Sequence, residues 1–120
     1  MKTFFTALMM LMVTYTFAQT TPDYTYVDAS GNKYELYAGL LDYTPKTGTN
    51  KKVELSKIAD DELRTYFKTA IDAKSDRTTS LETGGGTIRF TQFNKSVRIF
   101  LKSSSTARTK LEAALLAKIQ

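Results

Sequence analysis

The chain predicts an α+β domain: a small antiparallel sheet built from two hairpins, with room for a further strand, and two amphipathic helices on one face. The element order is β-β-(β)-α-β-β-α. Three observations carry this. Two pairs of short aromatic and β-branched runs flank turn-forming residues, at 24–37 and 87–102. Two longer stretches, at 59–73 and 106–119, repeat apolar residues at helical spacing. Each hairpin and each helix is apolar on one side only, so the four must share a core.

Before these elements comes a different kind of segment. Met1-Lys2-Thr3 is a short positive start, Phe4 to Val13 is almost wholly apolar, and small residues stand at Thr16 and Ala18. That order is the pattern of a cleavable secretory signal, with cleavage expected after Ala18 and a single domain from 19 to 120. The apolar stretch falls short of the roughly 20 residues a membrane span needs. Gln19 stands where a lipoprotein would carry its lipid-bearing cysteine. The expected location is therefore periplasmic or secreted, without stable membrane insertion once the signal is gone.

Composition narrows the chemistry. The chain has no cysteine, so an exported domain of this kind must be held by packing rather than by disulfides. Thiolate nucleophiles and thiolate metal sites are excluded with it. Histidine is also absent, which removes the Ser-His-Asp triad, the commonest general base and most zinc sites. Charge is unevenly spread. Residues 19–83 carry nine basic and eleven acidic side chains, whereas residues 84–120 carry seven basic and one acidic. Such asymmetry marks a surface for anionic partners or a solvated exterior.

The first hairpin joins Tyr24–Asp28 to Lys33–Tyr37 around Ala29-Ser30-Gly31-Asn32. Pairing Asp28 with Lys33 and Tyr24 with Tyr37 puts Thr25, Val27, Tyr34 and Leu36 on a more apolar side. Sliding on to set Asp28 against Glu35 costs a like-charge pair. A bulge at Gly31 would offset this register. Leu40 and Leu41 are expected to be buried, Pro45 to Asn50 to form a loop, and Lys51 to Leu55 to return as a third strand.

Ala59 to Ala73 reads as a helix with Ala59, Leu63, Tyr66, Phe67, Ala70 and Ile71 on one stripe. Asp60, Asp61 and Glu62 favour its N-terminal dipole, and Asp60 and Arg64 form an i,i+4 pair. In the second hairpin an Asn94-Lys95 turn pairs Phe90 with Ile99, Ile88 with Leu101 and Gln92 with Val97 on the core face. Its other face then carries Arg89, Thr91, Phe93, Ser96, Arg98 and Phe100. Thr106 to Ile119 is the second helix, with Ala107, Leu111, Ala114, Leu115 and Ile119 inward and Ser105 or Thr106 as its cap; Thr109 with Glu112 is a rival capping box.

Two surfaces are candidates for binding. Arg89, Arg98 and Lys102 lie among Phe93 and Phe100 on the outer side of the second hairpin, where guanidinium groups can take phosphate or carboxylate and stack on rings. The alternative is a solvent-facing sheet whose arginine stems cover phenylalanine rings. Tyr24, Tyr26 and Tyr37, with Tyr43, offer contact area of the kind protein and sugar partners use, or ordinary cross-strand packing. Asp60-Asp61-Glu62 lacks the ligand spacing of a calcium loop, and Gly84-Gly85-Gly86 lacks the lysine and hydroxyl of a phosphate-binding loop. Ser103 to Ser105 adjoins Lys102, but adjacency does not make a nucleophile pair. The chain is therefore expected to be a non-catalytic exported domain without cofactor or metal. Its expected partner is a protein, with an acidic glycan or nucleic acid as the alternative ligand.

Overall fold

The computed structural model describes residues 21–120. The signal segment expected over 1–18 lies outside them. The elements are β1 (Tyr24–Asp28), β2 (Lys33–Tyr37), β3 (Leu40–Thr44), β4 (Lys51–Glu54), α1 (Lys57–Asp72), β5 (Arg77–Thr78), β6 (Gly86–Gln92), β7 (Lys95–Leu101) and α2 (Thr106–Ile119). All pairings are antiparallel, in the order β4-β3-β2-β1-β6-β7-β5. The fold is α+β as expected, with both helices packed against one face through a single buried cluster. Among the described residues no helix is long and apolar enough to cross a membrane.

The first hairpin pairs one step away from the expected register. Tyr24 faces Leu36, Tyr26 faces Tyr34 and Val27 faces Lys33. The cause is the bulge. Gly31 adopts φ +93°, its N–H donates to the Asp28 carbonyl at 3.1 Å, and the Asp28 N–H donates to the Asn32 carbonyl at 3.0 Å. This three-residue loop ending in a left-handed glycine shifts one strand by one residue. A one-residue shift exchanges the faces. Tyr26, Tyr34 and Leu36 are therefore buried, while Thr25 and Val27 turn to the opposite side. The Asp28 carboxylate holds the turn by accepting from the Ser30 and Asn32 N–H groups at 3.0 Å and from the Asn32 side-chain amide at 3.0 Å.

The meander continues through a strand that the apolar pattern did not separate from its loop. Gly39, at φ +76°, turns β2 into β3, which buries Leu41 opposite Leu36. The expected return strand forms as β4. Ser56 caps α1 by accepting from the Ala59 N–H at 3.1 Å. Leu63, Phe67 and Ala70 are its buried residues, and Phe67 stacks on Tyr24 at 4.9 Å between ring centroids. Because the helix begins at Lys57, only Asp60 of the expected acidic trio lies in its first turn; all three carboxylates form ion pairs, Asp60 with Arg64 at 2.8 Å, Asp61 with Lys57 at 3.1 Å, and Glu62 with Lys118 at 3.9 Å.

The second hairpin turns at Phe93-Asn94, one residue earlier than expected. Both residues have positive φ, 52° and 62°, the signature of a two-residue primed turn that matches strand twist. Ile88 now faces Ile99 and Phe90 faces Val97. The shift of pairing is by two, so the expected core face survives. Its register also sets Gly86 opposite Leu101, and Gly85 closes on the Leu101 carbonyl, where a Cβ would sit 2.5 Å from the oxygen. Gly86 lies under the ring of Tyr26, where a Cβ would meet its hydroxyl and Cε1 at 2.6 Å. Gly85 and Gly86 thus serve close packing at the entry to β6, while Gly84 takes a left-handed φ of +79° in the turn before them.

Tyr26 ties the sheet to α2. Its hydroxyl donates to Glu112 Oε2 at 2.8 Å, and Arg108 donates to the same oxygen at 2.7 Å. Arg108 also donates to the carbonyls of Lys102 (3.2 Å) and Ser103 (3.0 Å), anchoring the loop that leads into the helix. Ser105 caps α2 through the Arg108 N–H at 3.1 Å and donates to Asp76 at 2.7 Å. Ser105 is thus the cap among the expected choices. Leu111 and Leu115 carry the helix's buried contacts.

Two outcomes follow from this packing. Gly86→Ala should destabilise the domain by about 1–3 kcal/mol, because the new methyl must displace a fully buried ring; urea unfolding with an unchanged m-value checks it. Burial pushes the Tyr26 hydroxyl well above its ordinary value, with Arg108 opposing and Glu112 reinforcing the shift; burial followed by Asp28 does the same for Tyr34. Both groups hold their protons more tightly folded than unfolded. Their stabilisation is therefore complete below about pH 10 and is lost as pH rises above it. Tyrosinate absorbance should rise in two stages, with Tyr26 and Tyr34 ionising in the second. The second stage should coincide with loss of circular dichroism; a single smooth titration of all tyrosines in a still-folded protein would contradict this packing.

Candidate functional site

With both helices on one face, the other face of the sheet is left open. Its residues are those of opposite parity to Tyr26, and register assembles them into transverse rows. One row runs Lys52, Asp42, Glu35, Thr25, Arg89, Arg98 from β4 to β7. A second runs Thr44, Lys33, Val27, Thr87, Phe100, Thr78. Over the middle of the sheet these rows, with Thr91, Ser96 and the Thr21-Pro22 segment, line a groove of about 510 Å³.

Charge on this face is segregated. Arg89 and Arg98 stand directly opposite each other on β6 and β7. Counted from the two-residue turn, theirs is a non-hydrogen-bonded pair, the class in which opposed side chains come closest. Among the described residues neither forms an ion pair. Arg98 lies over the Phe100 ring, its Cζ 5.2 Å from the centroid. Across Thr25, Glu35 and Asp42 form the matching acidic pair on β2 and β3. Glu35 is met by Lys33 at 3.7 Å, while one Asp42 oxygen is buried without a hydrogen-bond partner. Interleaving these four residues would have given cross-strand ion pairs, each stabilising by roughly 0.2–1 kcal/mol; like charges opposed cost about as much.

Arg64 shows the contrast. It lines a second groove on the helix side with Asp23, Tyr24 and Lys68. Asp60 and Asp23 each hold it at 2.8 Å, and the Tyr37 carbonyl accepts from it at 3.3 Å. Its charge is spent on joining α1 to the sheet. The open-face arginines have no such work to do for the fold.

The other expected site residues are dispersed. Lys102 lies past the end of β7; its N–H donates to the Asp76 carbonyl at 2.9 Å and its ammonium reaches the Ser75 carbonyl at 3.4 Å. Phe93 is 88% exposed at the hairpin tip, away from the arginine pair rather than opposite Ser96. Tyr26 is fully buried and presents no contact surface, correcting its place among the candidates. Tyr24 and Tyr43 lie on the helix-covered side, against Phe67 and Tyr34 respectively. Of the four tyrosines Tyr37 alone shares the open face, opposite Leu40. Sequence reasoning missed Thr25, Glu35, Asp42 and Lys52. Their charge alternation was visible, but β1 had to be paired with β6 before one row could be drawn.

Chemically, two adjacent guanidinium groups ringed by hydroxyls suit carboxylate or phosphate, which Arg takes bidentately. Glu35 is the carboxylate lining the groove, and it is already paired. Comparison of the chain with protein-family models, with curated proteins and with solved structures finds no match in any of the three.

If the arginine pair is a cost to the fold, Arg89→Thr should raise stability by about 0.2–1 kcal/mol at low salt. The gain should shrink at about 1 M ionic strength, where charges separated by more than roughly 3 Å are screened. Urea unfolding at both salt concentrations measures it, and a destabilised variant would show that Arg89 serves the fold after all.

Proposed function

We propose that this chain is a small exported binding domain, acting without catalysis, that docks a protein partner on the open face of its sheet. The observation that carries the reading is the opposed, unneutralised pair Arg89–Arg98 in the groove. A domain selected for stability alone gains nothing from that pairing, whereas a carboxylate from a partner would satisfy both groups at once. The N-terminal pattern Met1 to Ala18 supports export.

A long polyanion such as an acidic glycan or nucleic acid would also meet the arginines. Running along the same row, it would then meet Glu35 and Asp42. The mixed row favours a protein surface with charges of its own in the complementary order, since electrostatic complementarity rejects wrong partners as strongly as it attracts right ones.

Affinity capture on the purified protein from envelope and culture-fluid extracts tests this. Wild type should retain a stoichiometric protein, and Arg89→Ala with Arg98→Ala should lose it. Retention by the double variant sinks the reading, and selective binding to heparin instead would transfer the face to the polyanion. Intact mass of the native product checks export: it should begin at Gln19, and a product starting at Met1 would remove the exported placement.

A further inference from the structure

The open face ends at an uneven edge. β7 spans Lys95–Leu101, but its outer neighbour β5 has only Arg77 and Thr78, paired with Leu101 and Phe100. Among the described residues nothing pairs with the outer side of Lys95–Ile99. Antiparallel alternation, counted from the Phe93-Asn94 turn, directs the backbone N–H and C=O of Ser96 and Arg98 outward. The same parity is seen further along, where the Lys102 N–H donates outward to the Asp76 carbonyl at 2.9 Å. Ser96 and Arg98 are exposed.

We propose that the partner's contact is an extended acidic segment that adds to β7 as a further strand. Its outward backbone groups would take the ladder bonds, and Arg98, backed by Arg89, would take its carboxylates. The inference rests on the open-face reading and names the chemistry of its partner. In an antiparallel or parallel added strand, the residue beside Arg98 projects onto the open face. Every second side chain follows it there. The row Lys52, Asp42, Glu35, Thr25, Arg89, Arg98 ends in two positive charges. A carboxylate at the next position completes it, and β-strand addition gains affinity from the backbone and specificity from alternate side chains. A second copy of this chain fits less well, because pairing β7 with itself would place two arginine pairs on adjoining strands.

The probes are three synthetic peptides of about ten residues, a length that spans one strand with margin. One alternates Glu with Val or Thr, one has the same composition with its Glu residues in a block, and one alternates Lys instead of Glu. The purified protein should bind the first at least about tenfold more tightly than the second, and the third should not bind. In the complex, the Ser96 and Arg98 amides should become protected from hydrogen exchange. Ser96→Pro removes an outward donor while sparing the β6 ladder, and should weaken binding by about tenfold or more. Equal affinity for the alternating and block peptides, or unprotected amides in wild type, overturns strand addition even if the proline variant fails to fold. Loss of the captured partner in the arginine variants, with unchanged binding by a folded Ser96→Pro, would leave the open-face reading standing and remove this one. If the arginine variants keep the captured partner, it is the open-face reading that fails.

Discussion

The seating of Tyr26 over Gly86 decides which face of this sheet meets water. β1 is the middle strand of seven, paired on both sides, so the parity of its side chains is imposed on every neighbour through register. A tyrosine that is fully buried needs a partner for its hydroxyl, and Glu112 supplies one from α2. It also needs room below its ring, which only the absence of a Cβ at Gly86 provides. Once Tyr26 points toward the helices, Thr25 and Val27 must point away, and Glu35 and Arg89 with them. The open face and its charge pattern are consequences of one aromatic placement.

That placement explains why the two hairpins were unequally legible. In the second, Ile88 and Phe90 share one parity and Arg89 and Thr91 the other, a contrast that survives a one-residue displacement of the turn because the pairing then shifts by two. In the first, Tyr24-Thr25-Tyr26-Val27 offers aromatic residues on one side and β-branched residues on the other, and either can be buried. The difference was settled outside the strands, by the left-handed Gly31 and by the Asp28 carboxylate gathering the turn's N–H groups. β3 was hidden for another reason. Leu40-Leu41 breaks the alternation, and the inward course of Leu41 and Tyr43 depends on β2 being alongside. β5 is two residues long and exists because the Lys74–Asp76 turn is held by Lys102 and Ser105, contacts far along the chain.

The candidate site was half legible for a related reason. Arg89 and Arg98 could be assigned to one face from alternation alone. Their direct opposition required the turn to close at Phe93-Asn94, with a bulky aromatic in the left-handed region, a conformation that costs an L-residue roughly 1–2 kcal/mol. Lys102 shared their parity on paper, but the strand ends before it and the Ser75 carbonyl draws its ammonium away. Tyrosines mislead in such readings because their rings belong to a core as readily as to a surface; the half-buried Glu112–Arg108 pair that receives Tyr26 lies more than eighty residues away in sequence.

The two edges of the sheet show where the domain carries its costs. β4 presents Lys51 and Lys52, and the Lys51 ammonium reaches the Ile119 carbonyl at the end of α2, so that edge is both charged and tied down. Charged edges discourage strands from pairing with copies of themselves. At the other edge the charge sits one strand deep as well as at the margin, in Arg98 and Arg89, and among the described residues no acid pairs with either. Protection against self-association needs only the outer arginine. The inner one adds repulsion within the sheet without adding to that protection, and the proposed acidic partner is the reading that gives both arginines a counter-charge. A domain without disulfides has little stability to give away, which makes an unrelieved charge pair at its margin a more informative feature than any exposed ring.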